Sequence, residues 1–173
     1  EIAPEFGTNR DFDGLLEAAE ARQIKIVMDL VVNHCSSDHE WFRKACHTRD
    51  CEEHDYFYWR DAASDGGPPD DQRACFGGSA WQWVERIGRY CYCHFGPQQP
   101  DLNWQNPKLR AQIDKMMSWW LDRGIGGFRM DVIDLIGKDI DARIYFEGPD
   151  LHRFLQEMHR ECLAGRDVVT IGE

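Results

Sequence analysis

Three apolar runs in this chain end in residues that can do chemistry. In Gly126-Gly127-Phe128-Arg129-Met130-Asp131-Val132-Ile133 an arginine and an aspartate stand two positions apart. An extended strand alternates its side chains, so Arg129 and Asp131 share one face while Phe128, Met130 and Val132 share the other. A guanidinium within a few ångströms keeps a carboxylate charged, because an opposite charge favours the ionised form. That suits a carboxylate nucleophile at a strand end, although a buried structural ion pair would use the same two residues. The run Val168-Val169-Thr170-Ile171-Gly172-Glu173 closes on a second carboxylate, and Ile24 to Val32 leads into Asn33-His34. Two carboxylates converging from strand ends suit glycoside hydrolysis, whose retaining form needs one charged and one protonated group about 5 to 5.5 Å apart. Glu173 follows Thr-Ile-Gly, and a partly desolvated site there would hold its pKa up for proton donation. His34 could hydrogen-bond a sugar hydroxyl. The same carboxylates could instead bind a metal ion.

Positioning these groups requires a regular scaffold. Residues 8 to 22 read as a helix, with Thr8 as cap, Asp11 at the capping-box position and Phe12, Leu15, Leu16 and Ala19 on one stripe. The β-branched run from Ile24 to Val32 suits a strand covered on both faces, as in a parallel sheet. From about Cys35 to Asn106 helical stripes weaken; the stretch from Asp65 to Asp71 is rich in turn formers, and brief strands are expected at Tyr56 to Trp59 and Trp81 to Val84. Order returns at Asn106-Pro107, an N-cap followed by proline in the first helical position, and the helix that follows ends near Gly124. A strand from Phe128 to Ile133, a loop, a helix beginning at Leu151 and ending near Gly165, and the terminal strand complete the chain. Strands alternating with helices predict a parallel α/β sheet. A (β/α) barrel and a doubly wound sheet both gather strand ends at one site; no Gly-rich phosphate loop follows any strand, which weighs against a nucleotide-binding version.

Composition narrows the partners. Among 173 residues, 31 acidic against 20 basic side chains leave a net charge of -11, which disfavours nucleic acid and anionic membrane and fits a neutral ligand. No stretch approaches membrane-spanning length and no signal-peptide pattern opens the chain, though the first residue is not Met. Seven irregularly spaced cysteines suit free thiols in a reducing cytoplasm, and Cys91-x-Cys93-His94 lacks a second ligand pair at zinc spacing. Seven tryptophans and nine phenylalanines would serve sugar stacking or core packing equally well.

Asp29-Leu-Val-Val-Asn-His34, Gly127-Phe-Arg-Met-Asp131 and Ile171-Gly-Glu173 resemble three successive signatures of the α-amylase family of glycoside hydrolases. Gln99-Pro-Asp-Leu-Asn103, Phe76-Gly-Gly-Ser-Ala-Trp81 and Gly148-Pro-Asp-Leu-His152 resemble that family's oligo-1,6-glucosidase branch. The resemblance implies part of a TIM (β/α)8 barrel, about strands 3 to 5, with a small irregular domain inserted after strand 3. Residues 1–34 and 107–173 would then belong to the barrel and 35–106 to the insertion. It makes Asp131 the nucleophile and Glu173 the general acid/base, puts His34 and Arg129 on the cleaved glucose, and has Phe76, Phe95 and Gln99 line the pocket. The type of residue at Val132 is the one that α-1,6-cleaving members tend to carry. The implied parent is a cytoplasmic, exo-acting retaining α-glucosidase of short oligosaccharides, cutting α-1,6 bonds, with α-1,4 bonds as the alternative linkage. Trehalose-6-phosphate hydrolases, transglucosidases, sucrose isomerases and non-catalytic ancillary homologues share the scaffold. No cofactor is implied within this stretch; a structural calcium would belong elsewhere in the full protein, and oligomeric state is open. The resemblance places Asp29 and Asn33 in structural roles. Cys35, Cys91 and Cys93 depart from the branch's usual residues. A third family carboxylate, a further substrate-binding histidine and an upstream aspartate fall outside the chain, and a whole barrel takes ~250 residues.

Overall fold

A computed structural model describes residues 2–173. Helix α1 (Asn9–Glu20) is capped by Thr8, whose hydroxyl accepts from the Asp11 amide while the Asp11 carboxylate accepts from the Thr8 amide. The reciprocal bonds satisfy two amides that would otherwise lack partners. Strand β1 (Val27–Val31), helix α2 (Glu40–Ala45), and strands β2 (Trp59–Arg60), β3 (Trp81–Val84) and β4 (Arg89–Tyr92) follow. Helix α3 (Pro107–Asp122), strand β5 (Gly127–Asp131), helix α4 (Leu151–Met158) and strand β6 (Val169–Gly172) complete the order. Asn106 caps α3 by accepting from the Lys108 amide, and Gly124 follows it at φ +99°, a conformation that glycine adopts without strain.

Strands β1, β5 and β6 form a parallel sheet with β5 in the middle. Asp29 pairs with Arg129, and Arg129 pairs in turn with Ile171; Val31 pairs with Asp131. Leu30, Phe128 and Met130 meet Leu109, Ile113 and Met117 of α3 and Leu151, Phe154 and Met158 of α4 in one core. The opposite face is open: Val31 is 42 % and Ile171 50 % exposed. The expectation that the first strand is covered on both faces is therefore not met. When each new strand is added on the same side, right-handed crossovers carry every connecting helix to one face of the sheet. Nothing among the described residues lies against the other.

Residues 35–106 make a second, antiparallel sheet in the order β2-β4-β3. Strand β4, absent from the sequence expectations, forms a hairpin with β3 that turns through Gly88 at φ +64°. The strand expected at Tyr56 to Trp59 begins only at Trp59, because Glu52–Tyr56 forms a 3-10 turn. Cys91 and Cys93 are buried in this region, all seven cysteines are free thiols, and no described cluster of three ligating groups could hold a metal. Strand β5 also stops earlier than expected. Val132 turns left-handed (φ +41°, ψ +42°), and a 3-10 turn, Ile133–Leu135, carries the chain away from the sheet.

Candidate active site

Arg129 organises the carboxyl ends of the three parallel strands. One guanidinium nitrogen donates to Asp29 at 2.7 Å and to Asp131 at 2.8 Å, and the other is ion-paired with Glu173. One cation thus bridges carboxylates from β1, β5 and the residue after β6. The backbone enforces the same proximity, since the Glu173 amide donates to the Met130 carbonyl and the Ile133 amide donates to the Glu173 carbonyl at 3.0 Å. The left-handed turn at Val132 points the Ile133 amide back toward the sheet. That conformation is strained for a β-branched residue, and it sits directly after Asp131. Arg129 stays firmly charged, its pKa raised mainly by the hydrogen bond to Asp29.

The predicted pair is therefore brought together, but not in the setting expected of it. The Glu173 side chain is 63 % exposed and β6 is exposed along its length. The partial desolvation expected around Glu173 is not supplied by these residues, because no element covers that edge or the open face.

His34 emerges past β1 and is buried, within the electrostatic reach of Asp131. Burial lowers its pKa against the pull of Asp101 and Asp131, so the ring is neutral near pH 7. Gln99 Nε2 lies 3.1 Å from His34 Nε2, and the Phe95 ring centres 5.1 Å from the imidazole. Phe76 stands 5.9 Å from Phe95 and is 77 % exposed. Asp131, Glu173 and Arg129 thus meet directly, His34 feels Asp131, Gln99 and Phe95 lie against His34, and Phe76 is joined to the group only through Phe95.

Beneath them lies a buried polar cluster that sequence reasoning passed over. Lys138, in the loop after β5, donates to Asn33 Oδ1 and to the Leu135 carbonyl, and its Nζ is 3.7 Å from Asp101 Oδ2. Asp101 also accepts from the His94 amide at 2.7 Å and from Asn33 Nδ2 at 3.3 Å. Both charged side chains are fully buried. Burial pushes the Asp101 carboxyl up and the Lys138 ammonium down, while their mutual attraction opposes each shift. The cluster ties the end of β1, the insertion and the loop after β5 into one unit, so His34 and Asp131 are held relative to each other. His94, whose pKa burial lowers to about 4, sets its neutral ring edge-to-face with Phe95 and tilted against Tyr145. Asp29, read as structural, is a direct partner of Arg129. The only sequence signal for it was its place in the same run as His34.

A family model described as the alpha amylase catalytic domain matches residues 1–173. The chain is 51 % identical over 173 residues to a palatinase of Erwinia rhapontici, covering all of this chain and 31 % of that protein. It is 49 % identical over 172 residues to a glucan 1,6-alpha-glucosidase of Streptococcus pneumoniae, covering 99 % and 31 %. A crystal structure of trehalose-6-phosphate hydrolase from Bacillus licheniformis superposes with a TM-score of 0.95 at 41 % identity, over 99 % of this chain and 32 % of that one. The chain spans about a third of the length of the curated relatives it matches. The carboxylate-bearing sheet and the match along every residue have one origin: the chain belongs to the α-amylase family of glycoside hydrolases, a TIM-barrel family, as a part of its catalytic domain.

Proposed function

We propose that the full-length protein containing this chain is a retaining, exo-acting α-glucosidase that cleaves α-1,6 bonds of short oligosaccharides. Asp131 is its nucleophile and Glu173 its general acid/base; His34 and Arg129 hold the cleaved glucose, and Phe76, Phe95 and Gln99 line the pocket. The carrying observation is the bridge from Arg129 to Asp131 and Glu173, which sets two carboxylates from adjacent strand ends at one point. In the retaining reaction Asp131 attacks the anomeric carbon while Glu173 protonates the departing oxygen; Glu173 then removes a proton from the water that releases glucose. The sheet supplies strands 3 to 5 of a (β/α)8 barrel, residues 35–106 are the domain inserted after strand 3, and the open face is the barrel interior. The missing strands would bury Glu173 and give it the environment a proton donor needs. No described helix is long and apolar enough to cross a membrane. Seven free thiols accord with a cytoplasmic setting.

The test follows the full-length protein on isomaltose and maltose, with the anomer of the first-formed glucose read by NMR. Isomaltose is expected to turn over faster and to release α-glucose. Asp131→Asn is expected to lower kcat by about 10⁴-fold or more without loss of fold. Faster cleavage of maltose would refute the linkage, and β-glucose as first product would refute the roles given to the two carboxylates.

A further inference from the structure

Backbone hydrogen bonds pin the chain on both sides of His34. The Leu102 amide donates to the Asn33 carbonyl at 2.9 Å and the Cys35 amide to the Pro100 carbonyl at 3.1 Å, so His34 faces Asp101 in an isolated antiparallel bridge. The Phe95 ring lies tilted against the imidazole, 5.1 Å from it. Burial here is complete within the chain itself, Asn33 being 0 % and His34 9 % exposed. The place of the imidazole is thereby set, and one freedom is left: which ring nitrogen carries the proton.

Asn33 removes that freedom. The Lys138 ammonium has donors only and donates to Asn33 Oδ1, so the oxygen end of the amide must face Lys138. The amide nitrogen is left for its other two neighbours, Asp101 Oδ2 at 3.3 Å and His34 Nδ1 at 3.2 Å. Its two protons serve both, and His34 Nδ1 accepts. A neutral imidazole that accepts at Nδ1 carries its proton on Nε2. An imidazolium would set a second N–H against the Asn33 amide, a repulsion that adds to the burial already lowering the His34 pKa. The Nε2 proton then faces the side-chain amide of Gln99, 3.1 Å away, which accepts through its oxygen after a half-turn about its last bond.

We propose that Asn33 is a positioning residue that fixes His34 in the tautomer with its proton on Nε2, so that His34 donates a hydrogen bond to the cleaved glucose. This rests on the glucosidase reading above, and it gives Asn33 a part in the reaction beyond a structural one. Asp29, Asp131 and Glu173 make the strand ends rich in acceptors, and Arg129 is bonded to all three. A sugar hydroxyl that accepts from Nε2 keeps its own proton for a carboxylate. With the proton on Nδ1 instead, the bare ring nitrogen would compete with the carboxylates for that hydroxyl proton.

The test reads the imidazole nitrogens of the full-length protein by nitrogen NMR near pH 7, with His34 identified by the signals that vanish in His34→Ala. A ring nitrogen without a proton resonates far downfield of one that carries a proton, so Nδ1 is expected downfield and Nε2 upfield. The reverse order, or averaged shifts from two exchanging tautomers, overturns the proposal. Asn33→Asp keeps the acceptor for Lys138 and loses the donor to His34, and there Nδ1 is expected to move upfield as it gains a proton. The same variant should lower kcat/KM for isomaltose about tenfold in the wild-type background and less than about twofold in a His34→Ala background. An equal loss in both backgrounds overturns the proposal, since Asn33 would then support the fold rather than act through His34. If Asn33→Asp does not fold, the wild-type spectrum decides alone. Wild-type protein that cleaves no glucoside sinks the glucosidase reading itself, an outcome distinct from a wrong tautomer.

Discussion

Arg129 and Lys138 are both cations among carboxylates, and their surroundings give them opposite energetics. Arg129 is part-exposed, so water screens it and its worth is geometric: it fixes where three carboxylates stand. Lys138 is fully buried, so removing it leaves Asp101 as a charge without a counterion in a low-dielectric interior. Lys138→Met is expected to destabilise the full-length protein by about 3–5 kcal/mol, read as a lowered urea midpoint. Adding Asp101→Asn in that background should restore part of the loss, because the orphaned charge goes with it. A Lys138→Met midpoint equal to wild type would mean that the ion pair is not what joins these segments. The Arg129 pair could be read from sequence because its partner is two residues away on one strand. Asp101 and Lys138 could not, since they lie far apart in the sequence, one on the insertion and one in the loop after β5, and only the fold brings them into contact.

Elements are held in register by backbone fit as much as by side chains. Gly127 begins β5 at φ +139°, and a Cβ there would strike the Val169 carbonyl of β6. Gly127→Ala must therefore both adopt an unfavourable dihedral and push β6 away, shifting Glu173 relative to Asp131. The expected cost is about 3 kcal/mol or more, seen as a lower Tm, with kcat falling further than stability alone would require. An unchanged Tm and kcat would show that β6 is not seated against this glycine. The helices and parallel strands were legible because caps and stripes are local signals: Thr8 with Asp11, Asn106 with Pro107. The ends of β5 and the whole of β4 were not. Val132 is a good strand former by type, yet it is turned left-handed where the Ile133 amide reaches the Glu173 carbonyl. Arg89 to Tyr92 drew attention for its cysteine rather than for a strand, and its pairing with β2 and β3 supplies what its own sequence does not.

At the scale of the whole molecule, the three-stranded sheet is covered on one side only. Val27, Val31, Val169 and Ile171 project from the other side, all exposed, around the charged group formed by Asp29, Arg129 and Glu173. Both outer strands, β1 and β6, also leave an edge of backbone donors and acceptors unpaired. In a closed barrel the same apolar row would be packed in layers and neither edge would exist. Expressed alone, these 173 residues therefore carry an apolar face and two open edges, the arrangement that favours pairing with other chains. The isolated piece is expected to bind a hydrophobic dye, to run as aggregate on size exclusion and to cleave no glucoside. The full-length protein should do none of the first two and should cleave isomaltose. A monodisperse, dye-negative isolated chain would mean that the helix-covered face alone makes a stable core. Hydrolysis by that chain would mean that Asp131 and Glu173 function without an enclosure that favours the protonated form of Glu173.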